Sequence, residues 1–224
     1  MKFYGQFDPP VDKVLYEYYF QNNNTPGFFV ECGAYDGVTE SSCKFFEETL
    51  DWKGINIEPS PLFFQKLELN RPKSINLNLA LSDKNIITSF QQVIHPEMGE
   101  FFGWGSLCHT SEHKQQLIDE GCTFKTYMVR TITWRNLIKE YRIEHVDLLV
   151  LDVEGTEREV IEGMRNSEVL PKILCIEHEH LGVKEVKALL KSLGYKYNFS
   201  EKVNSFFTHS DSPRKIIDLI KGNI

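Results

Sequence analysis

The sequence of 224 residues lacks the features that mark membrane, secreted and nucleic-acid-binding proteins. No stretch approaches the ~18 consecutive apolar residues of a membrane span, and no apolar stretch follows the single lysine near the N-terminus, as a secretory signal would require. Basic residues are in deficit, with 25 Lys and Arg against 32 Asp and Glu, a net charge of −7. Because phosphate contacts need clustered Lys and Arg, this balance argues against a nucleic-acid partner.

Cysteine is scarce, and its spacing matches neither a disulfide framework nor a zinc site. The cysteines are Cys32, Cys43, Cys108, Cys122 and Cys175. Their odd number and the absence of a CxxC pair predict reduced, mostly buried thiols in a cytoplasmic protein. Aromatic residues, in contrast, are plentiful, with 16 Phe, 9 Tyr and 3 Trp, and they need a folded core.

Short apolar runs alternate with segments of helical spacing along most of the chain. The runs cover residues 28–30, 54–59, 74–82, 146–152 and 172–178, and the helical segments cover 41–50, 61–70, 156–164 and 183–193. This alternation predicts an α/β fold with a parallel sheet covered by helices on both faces. An N-terminal helical segment is expected at about 9–21, and a closing antiparallel hairpin at 195–209.

One connection, at about residues 83–135, is far longer than the usual link between a strand and a helix. It contains two strand candidates, 86–94 and 123–133, and a segment of glycine and aromatic residues, Phe101-Phe102-Gly103-Trp104-Gly105-Ser106. We interpret it as an insertion that acts as a lid or substrate loop. The alternative is an aromatic cluster that forms a core beneath the insertion, and its histidines, His95, His109 and His113, are interpreted as surface residues.

Carboxylates stand where several predicted strands end, the edge at which doubly wound sheets bind ligands. Glu31 opens an E-x-G-x-x-x-G loop, which differs from the dinucleotide and polyphosphate glycine patterns and suits a cationic ligand. Glu58 ends the next strand, where a carboxylate accepts both hydroxyls of a ribose. The two features together predict S-adenosylmethionine, whereas each alone would also fit a turn glycine pair and a solvated glutamate.

Five segments resemble the FkbM family of S-adenosylmethionine-dependent methyltransferases. They are VECGAYDGVTES, INIEPSPLFFQKLELNR, LALSD, VRTITWRNLI and LLVLDVEGTEREVIEGM, and the resemblance runs from about residue 28 to residue 180. It implies a single Rossmann-like class I methyltransferase domain over residues 1–224, with a mostly parallel seven-stranded sheet and an antiparallel last strand. It also implies O-methylation, often of a sugar hydroxyl in a polysaccharide, glycolipid or glycosylated natural product.

The resemblance also assigns a cofactor site. Its residues are Glu31, Gly33, Asp36 and Gly37 at the methionine part, Glu58 at the ribose, Ala80, Leu81 and Ser82 along the adenine, with Ala34 and Pro59 beside them. One departure is that Glu31 stands where many members have Asp, a change that keeps the charge.

A sugar hydroxyl is a poor nucleophile near neutral pH, so the site should supply a base or a metal ion. We assign catalysis to Asp152, Glu154 and His178, which follow the fourth and fifth main strands; Glu177, Glu179 and His180 are further candidates. Several of these side chains could also collect Mg²⁺ or Mn²⁺, and the sequence leaves that open. The alternative is a polar strand exit that merely faces solvent.

Three other functions stay open on the sequence alone. A methyltransferase acting on RNA or another non-sugar hydroxyl is disfavoured by the acidic charge and by the lack of a lysine at the last main strand ends. A non-catalytic binding module with a methyltransferase fold is another alternative. The chain could also be one domain of a larger glycan-assembly protein, and the acceptor and oligomeric state are undetermined.

Overall fold

Ten strands and seven α-helices lie in the computed structural model, which describes residues 1–23, 25–100 and 103–211. The strands are β1 (Phe28–Cys32), β2 (Lys53–Ile57), β3 (Ile75–Leu77), β4 (Ala80–Leu81), β5 (Ile87–Ile94), β6 (Thr123–Ile132), β7 (Leu148–Leu151), β8 (Ile173–Glu177), β9 (Tyr195–Glu201) and β10 (Asn204–His209). The helices are α1 (Val11–Leu15), α2 (Lys44–Leu50), α3 (Pro61–Asn70), α4 (Ser111–Asp119), α5 (Trp134–Glu140), α6 (Glu157–Gly163) and α7 (Val183–Lys191). A π-helical turn, Tyr16–Phe20, continues α1.

The main sheet has seven strands in the order β3-β2-β1-β7-β8-β10-β9. The first five of these are parallel to their neighbours, and β10 runs antiparallel to both β8 and β9. The predicted seven-stranded sheet with an antiparallel last strand is therefore confirmed. Because β1, β2, β7 and β8 share a direction, their carboxyl ends meet at one edge. Within the described part of the chain, no helix is long and apolar enough to cross a membrane.

Both faces of the sheet are buried, as the apolar runs predict. Val30, Leu149 and Leu174 point to one face, where they pack with α5, α6 and α7. Their neighbours Phe29 and Val150 point to the other face, against α1, the π-helical turn and α2. Since side chains alternate along a strand, such continuous apolar strands fit only a sheet with helices on both sides.

The single strand expected at 74–82 is instead two strands in different sheets. β3 belongs to the main sheet, whereas β4 pairs in parallel with β6 in a three-stranded sheet of order β4-β6-β5. Asn78 lies between them, and its side-chain amide donates to the carbonyls of Glu58 and Pro59. This polar contact occupies the gap between the two strands. The period-two alternation of the sequence does not reveal that gap.

The insertion is built on the two predicted strands. β5 and β6 pair antiparallel from Ile87↔Arg130 to Ile94↔Thr123, which confirms the strands expected at 86–94 and 123–133. Helices α4 and α5 were absent from the predicted pattern. Helix α4 buries only Leu117, so it carries almost no apolar periodicity, whereas the Thr133 cap and the helical spacing of α5 were a usable signal. Phe101 and Phe102 lie outside the described residues.

A buried ion cluster joins three segments beneath the carboxyl end of β1. Arg71, fully buried after α3, donates from Nε to Glu47 Oε2 (2.8 Å) and from Nη1 to Glu31 Oε2 (3.3 Å). The same Nη1 donates to the Gly37 carbonyl and to Ser41 Oγ. One guanidinium thus compensates two buried carboxylates and fixes the loop that follows β1.

Replacing this arginine should strongly destabilise the protein. Arg71→Ala leaves Glu31 and Glu47 buried without a cation, so we expect the free energy of unfolding to fall by about 3–5 kcal/mol. Urea denaturation followed by circular dichroism measures this. Arg130→Ala, which breaks the exposed Arg130–Glu140 pair (2.6 Å), is the control and should cost less than ~1 kcal/mol. Equal losses for both variants would contradict the structural role of the cluster.

Candidate functional site

A cavity of about 900 Å³ opens at the carboxyl ends of the central strands. Residues at or just beyond the ends of these strands line it: Gly33, Ala34, Glu58, Pro59, Asp152, Glu154, Glu177, Glu179 and His180. The insertion adds Trp104 and His113, and the N-terminal segment adds Gln6 and Phe7. The tertiary structure therefore gathers into one cavity residues that are more than 170 positions apart in sequence.

Gly33 forms the tight turn by which the chain leaves β1. Its φ is +79°, and a Cβ there would lie 1.9 Å from the carbonyl oxygen of Asp152. Its N–H donates to the carbonyl of Ile57 (3.1 Å). Only glycine permits this approach, so Gly33 sets the spacing between the ends of β1, β2 and β7.

Glu58 stands at the end of β2 with its carboxylate directed into the loop after β1. Oε2 accepts the N–H of Tyr35 (2.8 Å), and Oε1 accepts the N–H of Ser60 (2.7 Å). The residue is 5% exposed, and burial raises its pKa to about 8, against the two hydrogen bonds that lower it. Each oxygen keeps further acceptor capacity toward the cavity that Glu58 lines.

An apolar slot adjoins Glu58. The rings of Tyr35 and Phe63 pack with centroids 4.1 Å apart, and Ala80 and Leu81 of β4 close the slot from the insertion side. A flat apolar wall beside a carboxylate is the arrangement that a nucleoside needs, since the base is aromatic and the ribose carries hydroxyl donors.

Two predicted cofactor residues shape the loop from beneath and are not among the cavity-lining residues. Glu31 accepts hydrogen bonds from Ser41 Oγ and from the N–H groups of Ser42 and Cys43, in addition to its pairing with Arg71. These bonds occupy the residues before Lys44, which explains why α2 begins there and not at the predicted residue 41. Gly37 packs on Arg71, and a Cβ at position 37 would lie 2.6 Å from Cγ of Arg71.

Two further predicted cofactor residues, Asp36 and Ser82, also lie outside the cavity lining. Asp36 accepts the N–H groups of Val38 and Thr39 and so caps its own loop. Ser82 follows β4, and its N–H donates to the carbonyl of Ile132 (3.0 Å). Their positions support a role in holding the loops, and a direct contact with cofactor stays a prediction for both residues.

A pair of half-buried carboxyl groups lies at the carboxyl ends of β7 and β8. Burial, together with the surrounding carboxylates, raises the pKa of Asp152 and that of Glu177 well above their usual range. Oε2 of Glu177 is buried and has no hydrogen-bond partner in the described structure. Because the charge of Asp152 raises the pKa of Glu177, the two carboxyl groups do not both ionise easily.

An imidazole–carboxylate pair lies beside the carboxyl groups. His180 Nε2 is 3.1 Å from Glu154 Oε2, and this hydrogen bond raises the pKa of His180. The ring of His113 stacks on that of His180, with centroids 4.6 Å apart, and burial lowers the pKa of His113. The interpretation of His113 and His109 as surface residues is wrong, because His113 lines the cavity and His109 is buried.

His178 occupies a different position from His180. Its Nδ1 is 3.0 Å from Ser205 Oγ on β10, its N–H donates to the carbonyl of Val203, and it is absent from the cavity lining. The imidazole that β8 presents to the cavity is therefore that of His180, two residues further on. A catalytic role for His178 stays a prediction without a contact in its favour.

The cavity is acidic throughout. Its carboxylate residues are Glu40, Glu58, Glu112, Asp152, Glu154, Glu177 and Glu179, and none of the described lining residues is Lys or Arg. A pocket of one charge sign attracts ligands of the opposite sign. The site therefore favours a cationic ligand and disfavours a polyphosphate.

The sheet order, the glycine turn after β1 and the carboxylate after β2 define a Rossmann-like methyltransferase fold. The model of the methyltransferase FkbM domain matches residues 31–197, and the chain belongs to that family. Family and fold together support methyl transfer that depends on S-adenosylmethionine.

A solved structure of the same family supports the fold, and a second structure is similar at a lower level. The methyltransferase FkbM from Methylobacillus flagellatus KT aligns with a TM-score of 0.53 at 15% identity, over 82% of this chain and 44% of that chain. This chain thus spans less than half the length of that protein. A ribosomal-protein methylase from Lactobacillus delbrueckii subsp. bulgaricus aligns at a TM-score of 0.43 and 9% identity, over 89% and 76% of the two chains. Among curated proteins, no sequence matches.

The buried carboxyl of Glu58 should make stability depend on pH. Its pKa rises from about 4.5 to about 8 on folding, so between these values the folded protein holds a proton that the unfolded chain releases. The free energy of unfolding must then fall as pH rises through this window. In Glu58→Gln that decline should be shallower, by at most ~1.4 kcal/mol per pH unit.

Urea titrations at pH 5, 6.5 and 8 measure the two slopes. Glu68→Gln, at an exposed glutamate of α3, is the matched control and should keep the wild-type slope. Parallel pH profiles for wild type and Glu58→Gln would show that Glu58 does not hold a proton in the folded state.

Proposed function

We propose that this protein is an S-adenosylmethionine-dependent O-methyltransferase that methylates a hydroxyl group of a sugar in a glycan, polysaccharide or glycosylated metabolite. The observation that carries the proposal is the buried carboxylate of Glu58 at the edge of an acidic cavity. Membership of the family supports S-adenosylmethionine as the methyl donor. The shape and charge of the cavity support a sugar hydroxyl as the acceptor.

The residues present fit the cofactor. Glu58 would accept the ribose hydroxyls, the slot of Phe63, Ala80 and Leu81 would hold the adenine, and the Gly33 turn would let the backbone approach the methionine part closely. The ammonium and sulfonium charges suit a cavity rich in carboxylates. When bound, S-adenosylmethionine supplies the methyl group.

The insertion and the N-terminal segment form the wall where the acceptor enters. Trp104 presents an aromatic surface to the cavity while it packs on the small cluster of Val93, Leu117 and Cys122. An aromatic face stacks on the apolar face of a sugar ring, and carboxylates accept its hydroxyls. Trp104 thus belongs both to the small core under the insertion and to the wall proposed to contact the substrate. We also include in this proposal that residues 83–135 close over the site as a lid.

Asp152 is the residue we assign to proton removal. Its pairing with Glu177 gives a carboxyl pair that holds one proton and can take up a second from the acceptor hydroxyl. A cation bound nearby would lower the pKa of these carboxyl groups and so keep Asp152 ionised, the form in which its carboxylate can accept that proton. Glu154, which is bonded to His180, is oriented toward the same space and positions the acceptor.

The alternatives have weaker support. A methyltransferase acting on RNA would need basic residues for the phosphates, and the described cavity lining has none. A non-catalytic binding module is distinguished by failure to bind the cofactor product. That the chain is one domain of a larger glycan-assembly protein, and that the protein is cytoplasmic, are predictions that rest on the sequence.

Binding of S-adenosylhomocysteine tests the cofactor site. Titration calorimetry should give a micromolar dissociation constant for the wild type, and Glu58→Ala should weaken it at least tenfold, about 1.4 kcal/mol, because the ribose hydroxyls lose their acceptor. The matched control is Glu68→Ala, which should bind like the wild type. A folded wild-type sample that gives no saturable heat would refute the methyltransferase function and favour the binding module.

Turnover tests the assignment of Asp152. With a sugar acceptor found by screening against labelled S-adenosylmethionine, Asp152→Asn should lower kcat by about 10²–10⁴-fold, the usual contribution of a general base. Its affinity for S-adenosylhomocysteine should change less than about threefold, since Asn keeps the shape. Glu144→Gln, at an exposed residue, is the control. An unchanged kcat in Asp152→Asn would remove the residue from the mechanism.

A further inference from the structure

Three metal-ligating side chains converge where the insertion meets the sheet. His113 lies on α4, Glu154 follows β7 and His180 follows β8, and one ligand atom from each lies within 4.8 Å of the others. All three residues line the cavity. The three segments are far apart in sequence, so the tertiary fold alone creates this cluster.

The spacing is close to that of a metal centre. Ligand atoms about 2.0–2.2 Å from a shared ion lie at most about 4.4 Å apart, so small rotations of the side chains bring the three groups to coordinating distance. His180 and Glu154 are already 3.1 Å apart. The Nδ1 atom of His113 is buried and has no hydrogen-bond partner in the described structure, which leaves this nitrogen available as a ligand.

The backbone around the cluster is held in place by hydrogen bonds. Ser106 Oγ donates to the carbonyl of Glu154 (2.6 Å), which ties the insertion to the loop after β7. The N–H of His113 donates to Thr110 Oγ1 (3.1 Å) at the start of α4. Nearby Asp152, Glu177 and Glu179 add negative charge, which favours a cation at this point.

We propose that His113, Glu154 and His180 form a binding site for a divalent first-row transition-metal ion of the Zn²⁺ or Mn²⁺ type. Two imidazoles and one carboxylate suit these ions better than they suit Mg²⁺, because Mg²⁺ favours oxygen ligands only. Three protein ligands leave coordination positions open toward the cavity. A bound ion would hold the acceptor hydroxyl at one of these open positions and lower the pKa of that hydroxyl. This step rests on the proposed function, whereas the ion site itself is independent of it.

Direct metal titration of the full chain, without S-adenosylmethionine, tests the site. In a Cys108→Ser background, which removes the exposed thiol, calorimetry should show one Zn²⁺ bound per chain with micromolar affinity and Mg²⁺ bound at least tenfold more weakly. His113→Gln and His180→Gln should each weaken Zn²⁺ at least tenfold. His145→Gln, at an exposed histidine beside Asp147, is the matched control and should leave the affinity unchanged.

Co²⁺ absorption gives a second readout that needs no activity. Its visible d–d bands should appear with the parent protein and the His145 variant and be lost with His113→Gln. Circular dichroism and binding of S-adenosylhomocysteine show that each variant is folded. No saturable Zn²⁺ or Mn²⁺ binding up to about 1 mM, or equal Zn²⁺ affinity in His113→Gln, would overturn the proposal. Metal binding without S-adenosylhomocysteine binding would instead keep the ion site and refute the proposed function.

Discussion

The buried contact between Arg71 and the carboxylates of Glu31 and Glu47 is the constraint on which the predicted cofactor side of the site depends. Glu31 is part of β1, yet its carboxylate accepts the N–H groups that precede α2, while Arg71 reaches it from the end of α3. Sheet, helix and loop are thereby fixed to one another. Because the loop after β1 is held from beneath, Gly33 turns at the edge of the sheet and the N–H of Tyr35 meets Glu58.

Above this base, the cavity collects carboxyl groups that are not paired with basic side chains of its described lining. Arg71 compensates the carboxylates under the loop, but the described cavity lining has no Lys or Arg. Burial therefore raises the pKa of Glu58, Asp152 and Glu177. Such a site gains most by binding positive charge, so the proposed sulfonium donor and the proposed metal ion would both relieve this electrostatic cost.

Much of the fold was predictable because it depends on local patterns. Continuous apolar runs between helical segments are enough to indicate a parallel sheet with two covered faces, and the glutamates at its strand ends follow from the same pattern. The break between β3 and β4 was not predictable, since both parts alternate at period two and only their partners differ. Helix α4 was missed because it buries a single apolar residue.

The sequence by itself determined the family, the sheet and the position of Glu58, since these depend on residues close together in the chain. Only the tertiary structure decided which polar residues share the cavity. It placed Glu31 in an ion cluster. It also placed His180, instead of His178, beside Glu154, because the loop after β8 turns the imidazole of His178 toward Ser205 and that of His180 into the cavity. It also brought His113 from the insertion to both, a contact between residues 41 and 67 positions apart that no local pattern encodes.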